Sequence, residues 1–202
     1  MPDRDRVSSG TVGVLDGLVA RVLSTYPYRF TLPATDTERA TAYRIRAAVV
    51  AGRPNQTFPD GQERDAFDDA AVHVVGWDGR EPICTGRLVL PPPELPTEQV
   101  CGITIEPRGA VVDVGRMAVV RSHRSVEGAV FVALLCRLYA EMRSHGFQVA
   151  CGMMSRPARR LVALLGLQVE KVGPEREYWG GLRAPVRFEL TANADSISRR
   201  WD

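Results

Sequence analysis

The sequence predicts an α+β fold, a mixed and mostly antiparallel sheet of about seven strands flanked by about four helices. Three observations predict it. Val72–Trp77 and Ile83–Leu90 are apolar runs joined by Asp78-Gly79-Arg80-Glu81, a hairpin turn. Val111–Gly166 reads strand, polar turn, helix, strand, helix. A chain of 202 residues with 45% hydrophobic content can bury one substantial core, and nothing in it argues for two, so residues 1–202 are read as a single domain.

Taken in order, residues 1–10 are expected to be frayed. Val12, Leu15, Leu18, Val19, Val22 and Leu23 recur at helical spacing. Tyr28–Leu32 reads as a first strand. Thr35 or Asp36 caps a helix running to about Ala51, with Glu38 near its positive end. Gly52–Gly61 is a loop rich in Gly, Pro and Asn, followed by a polar segment through Asp69. Pro91–Thr97 is a proline-rich connector. The central block then supplies a strand over Val111–Val120, the turn Arg121-Ser122-His123-Arg124-Ser125, and a helix from about Val126 to Arg143. A strand near Phe147–Met153 and a helix ending at Gly166 complete it. Leu167–Val172 and Val186–Leu190 add two strands, and Ser196–Asp202 is read as a frayed tail.

The polar N-terminus is not followed by the apolar run of a signal peptide, and no stretch approaches the roughly 18 apolar residues of a membrane span. A soluble, cytoplasmic protein is expected. Cys84, Cys101, Cys136 and Cys151 stand far apart, without Cys-x-x-Cys or a histidine at ligand spacing, which predicts reduced thiols and no metal site. The net charge of +2 says little about partners. Lys171 is the single lysine among 26 basic residues. A bias across the whole chain fits a GC-rich genome, so only local arginine clusters carry functional weight.

Two groups of charged residues call for explanation. Glu63-Arg64-Asp65-Ala66-Phe67-Asp68-Asp69 holds four carboxylates in seven residues; alone, it is a solvated loop. Arg87, Asp113 and Arg116 instead fall inside apolar strands, where a charge must be paired or face a cleft. Asp113 and Arg116 differ by three positions and would point to opposite faces of a regular strand. A bulge near Gly115 would change that.

The block Val111–Gly166 resembles the segment with which GNAT acyltransferases hold the phosphopantetheine of a thioester donor. A second resemblance is more specific. Arg44 and Arg46, Glu63-x-Asp65-x-x-Asp68, Gly86-Arg87-Leu88 and Asp113-x-x-Arg116-x-Ala118-Val119 stand in an order and at spacings similar to the acyl-homoserine-lactone synthases and the related N-acyl amino acid synthases. The likeness spans roughly residues 28–172. It implies the GNAT fold, with Asp113, Arg116, Glu63 and Asp65 as catalytic candidates and Arg44, Arg46, Asp68 and Arg87 on the acceptor side. On the donor side it implies Met117, Ala118, Val119, Arg121, Arg124, Ser125, Gly128 and Ser155.

The chain also departs from that pattern. Asp113 stands where the lactone synthases usually have glutamate, and Gly115 and Met117 where they have serine and phenylalanine, so the acceptor pocket has changed. Arg124-Ser125-Val126-Glu127-Gly128-Ala129 has Glu127 at the first glycine position of the pyrophosphate loop, and a carboxylate there repels a pyrophosphate. That favours a carrier-protein donor, which Arg121, Arg124, Arg156, Arg159 and Arg160 could meet as a basic rim. Ser155, Ala158 and Gly166 keep the frame of the second helix, but Val162 stands at the position of the usual tyrosine acid.

The resemblance therefore implies an N-acyltransferase moving an acyl group from a carrier-protein or CoA thioester to the amine of a small amino acid or natural-product intermediate. No permanently bound cofactor is expected; acyl-ACP phosphopantetheine or acyl-CoA is the co-substrate. Two other readings use the same scaffold: an aminoacyl-tRNA-dependent amide-forming transferase, with the arginines tracking tRNA phosphates, and a non-catalytic module that binds an acyl thioester. Asp113, Glu63 and Asp65 are the candidate bases. His123 titrates in a useful range but lies in the donor loop, as a structural or phosphate-facing residue.

Overall fold

The computed structural model describes residues 4–54, 56–92, 94–124 and 128–194, with side chains from residue 12 onward. Eight strands, β1 (Arg29–Thr31), β2 (Val72–Asp78), β3 (Glu81–Val89), β4 (Val111–Val119), β5 (Val149–Met154), β6 (Glu170–Lys171), β7 (Arg176–Glu177) and β8 (Leu182–Glu189), form one sheet. Its order is β1-β2-β3-β4-β5-β8-β6, with β7 paired to β8. Every pairing is antiparallel except β4 with β5.

Among the described residues, five α-helices flank it: α1 (Arg4–Thr25), α2 (Asp36–Val50), α3 (Pro96–Cys101), α4 (Ala129–Ser144) and α5 (Arg156–Leu164). A 3-10 turn covers Arg121–His123, and a helical stretch runs over 190–194. The strand alternation sorts side chains onto two faces. Val74, Cys84, Leu88, Val112 and Ala150 bury against Val130, Leu134, Leu138 and Met142 of α4. On the opposite face, Val75 and Ala118 pack on Ala42, Tyr43 and Ile45 of α2. Val89, Val111, Val149 and Cys151 pack there with Leu95 and Ile105, which bracket α3. Fully burying an aliphatic side chain of this kind contributes about 1.5–3 kcal/mol. Val12, Leu15 and Val19 of α1 join Leu190 and Ala194 in a further cluster, where Tyr139 Oη donates to Asp16 Oδ1 at 2.6 Å.

The expected order holds, with three differences. The first helix begins at Arg4, so residues 4–10, read as frayed, are helical. The connector after Pro91 contains α3, with Pro96 in its first turn and Gly102 in the left-handed region at its C-cap (φ 63°), a start and a stop that the sequence displays. The strand pair β7 and β8 forms a hairpin that the sequence reading left out. The capping prediction is met: Glu38 N donates to Thr35 Oγ1 at 3.3 Å, and Thr35 N to Glu38 Oε2 at 3.1 Å, a capping box. Ser125, Glu127 and the tail Ser196–Asp202 lie outside the described residues.

Two irregularities in the sheet create the site. Strands β4 and β5 pair only at Val111↔Val149, Val112↔Ala150 and Asp113↔Cys151, then part. At the parting point a Cβ on Gly152 would collide with the backbone oxygen of Val114, so glycine permits that approach. Beyond Asp113, β4 keeps β3 as its neighbour on one edge and leaves the other edge open to the cleft. The second irregularity is a bulge. Thr85 faces Ala118 and Arg87 faces Gly115, so two steps along β3 match three along β4. Arg116 within that interval has φ 52°.

Candidate active site

The bulge explains how Arg116 comes to share a face with Arg87 and Asp113. One extra residue reverses the alternation beyond Gly115, turning Arg116 to the face of α2 and α3. There it closes a ring of three arginines and three carboxylates. Arg46 Nε binds Glu63 Oε2. Glu63 Oε1 accepts from Arg116 Nε at 3.0 Å, and Arg116 Nη2 reaches Asp65 Oδ2 at 2.7 Å. Asp65 Oδ1 accepts from Arg87 Nη1 at 2.5 Å, and the same nitrogen donates to Asp68 Oδ1 at 2.6 Å. Arg46 Nη1 and Nη2 return to the two oxygens of Asp68, each at 2.8 Å.

Every ring member except Asp65 is buried, and Asp65 keeps 22% of its side chain exposed. Removing an isolated charge from water costs several kcal/mol. Here each charge has two opposite neighbours in the ring, and the planar guanidinium fork suits carboxylates on both of its edges. Burial pushes the Asp68 carboxyl up, but the hydrogen bonds and charges of Arg46 and Arg87 outweigh it and hold it well below the usual range. Asp65 follows the same balance, with Arg87 and Arg116 holding it down. The acidic stretch read alone as a solvated loop is thus the anionic half of a buried lattice. Its backbone joins in: Asp65 N donates to Asp68 Oδ2 at 2.8 Å, and Phe67 N to Asp65 Oδ1 at 3.0 Å.

Asp113 stands outside this ring. It is 3% exposed, and Oδ2 accepts from the Thr97 backbone N–H of α3 at 2.8 Å and faces Cys151 Sγ at 3.6 Å. Burial raises its pKa above the ordinary value. Arg87 and Arg116 are thus paired as the strand placement requires, whereas Asp113 is held by hydrogen bonds. On the same face, α3 supplies an amide that the sequence reading, taking this segment as a connector, did not provide. Arg44 is exposed on α2 and donates to Thr41 Oγ1 at 3.2 Å, beside the buried stripe that carries Arg46 and outside the ring.

The donor-side candidates fall on β4 past the bulge, in the turn after it, and at the starts of α4 and α5. Met117, Ala118 and Val119 follow the bulge, with Ala118 buried. Arg121 is exposed, and Arg124 donates from Nε to the Val119 carbonyl at 2.8 Å. Gly128 caps α4 in the left-handed region (φ 66°), where a Cβ would press on Leu161. Ser155 caps α5, accepting from Ala158 N at 3.4 Å. Arg156 and Arg160 are exposed, whereas Arg159 is held by Glu175 at 2.7 Å. Val162 is 2% exposed, a core residue. His123 lies 3.4 Å from Asp78 Oδ2, at the donor loop. Burial pushes the Cys84 thiol up to about 12 and the Cys136 thiol up to about 11, which keeps both protonated.

One element beside the ring was missed. Tyr178 and Trp179 sit in the turn of the β7–β8 hairpin, and the Arg116 guanidinium lies 5.0 Å from the Tyr178 ring centroid and 5.3 Å from that of Trp179. Arg116 Nη1 donates to Tyr178 Oη. The turn is closed by Tyr178 N to Gly181 O at 3.0 Å, with φ 51° at Trp179 and 70° at Gly180, the signs of a type I′ hairpin. Tyr-Trp-Gly-Gly is a turn signal that could have been read, but its contact with β4 could not.

Residues 42–134 match the family model described as "Acetyltransferase (GNAT) domain". Over that central stretch the chain is similar to the GNAT acetyltransferase family. Among solved structures, the acyl-homoserine-lactone synthase LasI superposes with a TM-score of 0.69 at 14% identity, over 83% of this chain and 92% of that one. The N-acyl amino acid synthase FeeM, from uncultured soil microbes, gives 0.67 at 14% identity, over 87% and 98%. The CoA-dependent acyl-homoserine-lactone synthase MesI gives 0.64 at 24% identity, over 85% and 94%. At such identities the likeness is one of fold. No curated protein sequence matches.

Proposed function

We propose that this protein transfers an acyl group from a carrier-protein or CoA thioester to the amine of a small amino acid or natural-product intermediate. The observation that carries the reading is the parting of β4 from β5 beyond Asp113↔Cys151, directly beside the bulge that presents Arg116. A phosphopantetheine arm can occupy such a cleft as a substitute strand, taking its amide hydrogen bonds from the open edge of β4. An N–H of the Met117–Val119 segment then faces the thioester carbonyl, where a fixed donor stabilises the developing oxyanion.

The ring defines the acceptor wall. Its three carboxylates are committed to arginines, so they hold Arg116 in place rather than serve as free bases. Asp113, bonded to the α3 amide, fixes the strand that carries the bulge. The amine enters from the α2 and α3 face, and holding it against the carbonyl supplies the main advantage. Glu127 and the exposed Arg121, Arg156 and Arg160 favour a carrier protein as donor.

The test is direct. The protein is incubated with acyl-CoA and with the same acyl chain on a carrier protein, against a panel of amino acids and related amines. Equal amounts of amide, by mass spectrometry, and free thiol are expected. Thiol release without amide, or no turnover with either donor, overturns the reading.

A further inference from the structure

Acyl transfer from a thioester expels a thiolate, which needs a proton, and the buried acids around the cleft have little to offer. Glu63, Asp65 and Asp68 are each ion-paired to arginines. Asp113 is engaged by Thr97 N and Cys151. His73 faces the Asp68 carbonyl at 3.0 Å, and burial lowers its pKa. Tyr139 serves α1 through Asp16, on the opposite side of the sheet. Tyr178 is different. It reaches Arg116 at the bulge as an acceptor, so its own hydrogen is left to give, and no described side chain or carbonyl takes it.

Resting on the acyl-transfer reading above, we propose that Tyr178 is a catalytic residue, the proton donor to the departing thiolate. The hairpin carries it from β8, the neighbour of β5, to Arg116 on β4, beside the stretch where β4 and β5 no longer pair. The Arg116 guanidinium against the phenol oxygen favours the negative charge that develops as the proton leaves. Burial raises the pKa of the phenol while the Arg116 charge opposes it, so Tyr178 enters the reaction protonated.

The step balances. The amine nitrogen bonds to the acyl carbon, the C–S bond breaks with its electron pair on sulfur, and sulfur takes the Tyr178 proton. The phenolate, beside Arg116, recovers a proton from the nitrogen that has become part of the amide. The products are one amide and one thiol. The turn that holds it is fixed by the type I′ geometry, with φ 51° at Trp179 and 70° at Gly180.

The experiment compares Tyr178→Phe with the wild type on two donors of one acyl chain, the CoA thioester and the p-nitrothiophenyl thioester, using the best amine of the panel. An aryl thiolate leaves without help. Turnover on the CoA thioester is expected to fall about a hundredfold, the scale of losing a general acid, and on the aryl thioester by less than about fivefold, with KM for the amine unchanged. An equal loss on both donors, or no loss on either, overturns the proposal, since a merely structural tyrosine has no reason to distinguish leaving groups. Wild-type failure on every donor would instead remove the acyl-transfer reading, and this inference with it. Thermal melting of the variant separates chemistry from folding.

Discussion

Arg46 and Asp68, on a helix and on a loop 22 residues further on, meet as a two-pronged ion pair with both bonds at 2.8 Å. Both side chains are 1% exposed. The pair fastens α2 to the acidic loop and, through Arg87, the loop to the sheet. Its geometry fixes where the ring stands against the sheet.

Breaking this pair should be costly. Asp68→Ala leaves Arg46 and Arg87 short of their carboxylate in a buried setting, and a loss of about 3–5 kcal/mol is expected. Urea unfolding measures it. A loss under about 1 kcal/mol would show that water enters and that the ring is not a stabilising unit.

The ring also sets an acid limit. Asp65 and Asp68 have depressed folded pKa values, so their contribution is fully present above the unfolded value of about 3.9 and is lost as pH falls through the folded values. Unfolding free energy should fall steeply below about pH 4, and the slope should be shallower in Asp68→Asn. An unchanged slope in that variant would assign the acid sensitivity to other groups.

Asp113 has the opposite sign. Its folded pKa is raised by burial, so its unfolded form releases a proton first, and stability declines as pH rises from about 4 toward the folded value. Asp113→Asn keeps an acceptor for Thr97 N and removes this decline. The variant should be at least as stable as the wild type at pH 7 and should keep turnover within about tenfold, below the usual effect of deleting a general base. A hundredfold loss in a folded variant would restore Asp113 as the base.

Gly152 marks where the cleft opens. An added methyl would meet the Val114 carbonyl, which is backbone and cannot swing aside. Gly152→Ala should cost about 1–3 kcal/mol, as overpacking does, and raise KM for the thioester. Wild-type donor kinetics in this variant would detach the parting of the strands from donor binding.

Donor choice can be read from the rim. Charge reversal at Arg156 or Arg160, both exposed, should raise KM for an acyl carrier protein in a salt-dependent way while leaving the CoA thioester nearly unaffected, because rim charges act mainly on encounter. Arg159 is a poorer choice, since Glu175 already holds it. Equal effects on both donors would argue for a phosphate contact instead.

Local chemistry was enough to read much of this protein. The hairpin at Asp78–Glu81, the capping box at Thr35 and Glu38, and the strand and helix order after Val111 follow from turn residues and periodicity, which act over a few positions. The sequence also made plain that Arg87, Arg116 and Asp113 could not remain unpaired among apolar neighbours. Which partners they take was decided by tertiary structure. The bulge turned Arg116 toward Glu63 and Asp65, α3 brought the Thr97 amide to Asp113, and the hairpin carried Tyr178 across the cleft to Arg116. Each of these contacts joins residues that are at least 16 positions apart. Periodicity assigns a side chain to a face of its own element, but only the packing of several elements determines which charges meet there.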